Sequence, residues 1–106
     1  MNKKEMRMAI ESANLEIQLK PIEKSIDEIL IRAQTYCNVL ELIHKDDPEF
    51  TGNMQEVQAH LLKLVNKLND IAMHAMAIND QYIYYRCEDK KRLVRDTMET
   101  IRNLYM

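Results

Sequence analysis

Glu41 and His44 stand three residues apart, the Glu-x-x-His spacing with which helical bundles hold a di-iron pair. Such a site needs a second copy of the motif and further inward glutamates. This pair is a single copy, off the apolar seam and at a helix end, so no metal centre is expected of it. His60 and His74 lie two heptads apart, about 21 Å along a helix, too far to share an ion. With Lys67 and Gln81 on the same line they form a polar border to a buried stripe, the sharper alternative being a pH-sensitive interface. Cys37 and Cys87 form neither a CxxC pair nor a metal-ligand spacing. A single glycine cannot build a phosphate-cradling loop. No cofactor, no metal and no enzymatic activity are expected.

The densest cationic run is Lys90-Lys91-Arg92-Leu93-Val94-Arg95, preceded by Tyr82, Tyr84, Tyr85 and Arg86. Cations beside stacking aromatics can hold a nucleic acid. Interspersed Glu88, Asp89, Asp96 and Glu99 largely neutralise the run, which favours a salt-bridged solvent face. The net charge of −2 gathers neither nucleic acid nor an anionic membrane. It is unevenly spread: residues 21–52 hold three basic and seven acidic side chains, residues 86–106 six and four. Tyrosine and arginine also concentrate at the centres of protein interfaces. Methionine, with eight copies here, either fills core gaps or forms adaptable contact surfaces.

The elements that must carry these residues are helices. Apolar residues make up 46% and charged residues 30%, with one Gly and two Pro, too few turn formers for a sheet. Val57, Leu61, Leu64, Leu68, Ile71, Ala75, Ile78, Tyr82 and Tyr85 alternate four and three apart, a heptad seam. Met8, Ser12, Leu15, Leu19, Ile22, Ile26, Ile29, Ala33, Tyr36, Leu40 and Ile43 repeat that spacing across Pro21. This continuity predicts a kink at Pro21, while Ser25 with Glu28 offers a capping box and a fresh start. Pro48 and Gly52 mark a turn over 46–52, with Pro48 and Asn53 as candidate helix starts. The segments expected are 3–19, 22–45, 53–86 and 88–105. The pairs Glu88–Arg92, Arg92–Asp96 and Arg95–Glu99 favour continuity through residues 86–89 with a local change of phase.

The predicted fold is all-α, one domain, an antiparallel hairpin of kinked long arms of coiled-coil or four-helix-bundle type. Leu62, Val65, Ala72, Met73, Met76 and Ile83 form a second stripe, and a helix apolar on more than one stripe needs cover on more than one side. That cover comes from folded-back termini or from another chain. A homodimer or hetero-oligomer is favoured, with Leu61, Leu64, Leu68, Ile71, Ile78, Tyr82 and Tyr85 as its seam. Met73, Met76, Ile83, Tyr84 and Arg86 are the candidate contacts for a protein partner. No window approaches the roughly 18 apolar residues of a membrane span. The basic start lacks an uninterrupted apolar core, so a cytoplasmic location with reduced thiols is expected.

Phe50-Thr51-Gly52 in the expected turn and Tyr85-Arg86-Cys87-Glu88-Asp89 near the end of the second arm resemble the WXG100 proteins of type VII secretion over residues 22–89. Those carry Trp-x-Gly in the turn and Tyr-x-x-x-Asp/Glu after the second helix. Here Phe replaces Trp, the first arm is longer, the charge density is higher and a further helix follows. The resemblance implies a small secreted or secretion-targeting hairpin. The residues themselves favour a non-enzymatic interaction module such as an adaptor, chaperone or inhibitor. A nucleic-acid-associated regulator using residues 86–95 is the third reading.

Overall fold

The computed structural model describes residues 2–40 and 48–105. They form three helices, α1 (Lys3–Leu40), α2 (Pro48–Ala77) and α3 (Gln81–Tyr105), with no strand among the described residues. The all-α fold and the antiparallel packing of the two long arms agree with the heptad pattern.

Helix α1 opens on a capping box: the Glu5 amide donates to Asn2 Oδ1 at 2.8 Å and the Asn2 amide to Glu5 Oε2 at 3.4 Å. It then runs through Pro21 as one element. Pro21 and Ile17 are both exposed, so the Ile17 carbonyl that Pro21 deprives of a donor lies on the solvent side, open to water. The Ser25–Glu28 box starts no new helix. Helix α2 begins at Pro48, whose fixed φ suits a first helical position. Gly52 and Asn53 therefore sit inside a helix, and the expected turn over 46–52 is overturned from Pro48 onward. Residues 46 and 47 lie outside the described residues.

The largest departure is at residues 78–80. A continuous helix over 53–86 was expected because the seam keeps phase there, but the backbone turns back on itself. Asn79 adopts a left-handed φ of 59°. The Asp80 amide donates to the Ala75 carbonyl at 2.8 Å and the Asn79 amide to the Met76 carbonyl at 3.1 Å, the paired bonds of a Schellman stop. Asp80 then starts the next helix, its Oδ1 accepting the Ile83 amide at 3.1 Å. Local hydrogen bonding by Asn79 and Asp80 overrides the heptad periodicity, and α3 takes up a new phase. Continuity through residues 86–89 holds, as expected.

Pairs across the bundle fix its topology. Ser12 meets Asp80, Glu16 and Glu23 meet Arg86, and Asp27 meets Lys90. The partners on α1 and on α3 advance together along their helices, so α1 and α3 run parallel and in contact, with α2 antiparallel to both. The rod measures 62 × 19 × 17 Å, close to the length of α1 at about 1.5 Å per residue. Leu15, Leu19 and Ile26 of α1, Leu61, Leu64, Leu68 and Ile71 of α2, and Ile83, Cys87 and Val94 of α3 fill the main core. Ala33, Cys37, Met54 and Ile101 close the far end. Of the second apolar stripe, Ala72 and Ile83 are buried and Val65 half-buried within the chain, while Leu62, Met73 and Met76 stay exposed.

Candidate interaction surface

The change of phase at Asp80 sorts the residues singled out above. Leu61, Leu64, Leu68 and Ile71 are buried and Ile78 half-buried, but they face α1 and α3 of their own chain. They form an intramolecular core, which corrects their assignment to a seam between chains. Tyr82 and Tyr85 leave the seam altogether, 70% and 60% exposed. Ile83 takes their place at 2% exposure and is withdrawn from the partner contacts for that reason. In the helix restarted after Asp80, Ile83 faces the core, Tyr84 packs half-buried at its edge, and Tyr82 and Tyr85 face solvent.

Arg86 is also committed within the chain. Its guanidinium forks between Glu16 and Glu23 of α1, with Nε donating to Glu23 at 3.4 Å. It lies over the Tyr82 ring, 5.2 Å from the centroid, in cation–π reach. The hydrogen bond to Glu23, then the two carboxylate charges, push its pKa above the ordinary arginine value against the opposing effect of burial. Lys90 pairs with Asp27 at 2.6 Å, and Lys91 with Glu88 at 2.5 Å and with Asn69 at 2.8 Å. Arg86 and Lys90 are therefore tied to acids of α1, and Lys91 to Glu88 of its own helix and to the Asn69 amide of α2.

Met73, Met76 and Tyr84 are the partner candidates that stay available. The two methionines are 70% and 62% exposed, and Tyr84 is half-buried. The Schellman stop brings the last turn of α2 against the first of α3, so Met76, Tyr84 and Tyr85 line one open hollow of about 240 Å³ at this corner. The Tyr84 and Tyr85 rings meet edge to face, centroids 5.5 Å apart and planes at 70°. Met73 continues the apolar surface down α2. What the sequence reading missed is Tyr85 as an exposed member of this corner; the signal was Asn79-Asp80, a stop and a cap side by side.

A second hollow, about 410 Å³, lies along the α1–α2 groove between Ile29, Arg32, Met54, Val57 and His60. A third feature is an apolar line on the outer side of α1, Met6, Ile10 and Ile17, none of which reaches the core. The same four–three spacing that identified the seam identifies it too, half a turn away.

Among the described residues no group of His, Cys, Asp and Glu side chains could hold a metal ion. Glu41 and His44 lie outside them. His60 and His74 are exposed. Cys37 and Cys87 are free and buried in separate core clusters, and burial pushes both thiols up, Cys87 to about 11. No described helix is long and apolar enough to cross a membrane. Phe50, Thr51 and Gly52, which carried the WXG100 resemblance in a turn, lie within α2. No family model, curated protein or solved structure matches the chain.

Proposed function

We propose that the chain is a helical protein-interaction module that engages its partner at the α2–α3 corner. The observation that carries this is the convergence of Met76, Tyr84 and Tyr85 on one hollow, extended by Met73, with Met73, Met76 and Tyr85 exposed and Tyr84 half-buried at the edge of the core. Methionine adapts to the shape of what it meets, and tyrosine contributes a large area at small entropic cost. A partner side chain entering the hollow would displace water from Met76, Tyr84 and Tyr85 while meeting polar groups of Asn79, Asp80 and Gln81.

The test places a photo-crosslinking residue at position 76, at 85, or at exposed Lys63 as a control, in the cells from which the chain comes. The expected result is one shared adduct at 76 and 85, absent at 63 and lost when Met73→Asp is added. Adducts that do not differ between the three positions would overturn the reading.

A further inference from the structure

The outer side of α1 holds a second surface, independent of the α2–α3 corner. Met6, Ile10, Ala13 and Ile17 are all exposed and are spaced four, three and four apart, a heptad line about 16 Å long facing away from the core. Lys3 and Arg7 stand at one end of this line, Lys20 and Lys24 at the other, all exposed. The acids of the same stretch are engaged or turned aside. Glu5 belongs to the capping box, Glu16 and Glu23 clasp Arg86, and Glu11 is half-buried. Lys20 comes within 3.8 Å of Glu16 yet is 70% exposed, while Lys3, Arg7 and Lys24 make no ion pair among the described residues. Lys3 and Arg7 also border the end of α2 at Ala77 and Ile78.

We propose that this face docks an acidic amphipathic helix of a partner protein, with apolar residues at heptad spacing and carboxylates in its first and last turns. Heptad spacing selects a helix as occupant, because only a helix presents knobs with the same repeat along its length. Charge selects the sign. A second copy of this chain is disfavoured: antiparallel pairing with Ile10 against Ile17 sets Arg7 opposite Lys20 and Lys3 opposite Lys24. Parallel pairing sets each cation beside its own copy, and like charges at such distances cost affinity. An anionic membrane is disfavoured by width. A flat surface would also meet exposed Glu28, whereas a helix touches only the strip between the cations.

The probe is a synthetic helical peptide of about six turns, matched to the span from Lys3 to Lys24, with leucines at heptad spacing and glutamates at both ends. A second peptide carries lysine for each glutamate, and vesicles of phosphatidylserine with phosphatidylcholine form a third arm. Fluorescence anisotropy on the intact chain is expected to show the glutamate peptide binding at least about tenfold tighter than the lysine peptide, weakening as salt rises. Ile17→Ser and the pair Lys20→Glu, Lys24→Glu should each lower that affinity about tenfold, with circular dichroism unchanged because these side chains lie outside the core. Equal binding of the two peptides, no binding, or indifference to the variants would overturn the proposal. Binding to the vesicles alone, or self-association abolished by Ile17→Ser, would do so in favour of a membrane or a second copy.

Discussion

Ser12 donates its hydroxyl proton to Asp80 Oδ2 at 2.5 Å, across 68 residues of sequence. The same carboxylate caps α3 through its other oxygen. One side chain therefore ends a connection, starts a helix and ties both to α1. Asp80→Ala should lose the cap, about 1 kcal/mol, and the bond to Ser12, about another 1 kcal/mol. Ser12→Ala should lose only the second. In an Asp80→Ala background Ser12→Ala should then cost almost nothing in urea unfolding; an equal cost in both backgrounds would show the bond to be without effect.

Arg86 links α3 to two carboxylates of α1, all three side chains largely withdrawn from water. Arg86→Ala should destabilise the bundle by about 2 kcal/mol, reduced from the fully buried case because the groove is partly wet. Arg86→Lys should restore less than half of this, since an ammonium cannot span a planar fork between two acceptors. Chemical denaturation of the three proteins under one buffer decides it.

Gly52 lies in the fifth position of α2 with φ in the ordinary range, and an added Cβ there would meet nothing within 4 Å. Alanine at this position removes backbone freedom from the unfolded chain and obstructs nothing. Gly52→Ala should stabilise by about 1 kcal/mol, a rise of about 5 °C in Tm. A fall in Tm would mean that α2 does not begin at Pro48.

The Cys87 thiol keeps its proton to about pH 11, against an ordinary value of 9.0, because burial and then the charges of Glu23 and Glu88 oppose the thiolate. Above pH 9 the unfolded chain therefore binds fewer protons than the folded one at this site, and stability falls as pH rises. The contribution is whole below 9.0 and lost through about 11. Guanidinium titrations at steps across that window should show a decline on the order of 2 kcal/mol that is shallower in Cys87→Ala.

Periodicity was enough to read helices, their antiparallel pairing, and most of the core of α1 and α2, since Leu15, Leu19, Ile26, Leu61, Leu64 and Leu68 are buried where the heptads place them. Spacing repeats along the chain and survives without any knowledge of neighbours. What it could not decide was where a helix that keeps phase nevertheless stops. At Asn79 and Asp80 two side chains and three amides settle that locally, and the turn rotates Tyr82 and Tyr85 outward while Ile83 and Cys87 replace them. Likewise, a charged residue shows no partner in one dimension: Arg86 became an internal clasp only because parallel packing of α1 and α3 set Glu16 and Glu23 around it. Repeating apolar positions determine that elements form and which faces want cover. Only their arrangement in space decides which of those faces the chain covers for itself and which it leaves exposed.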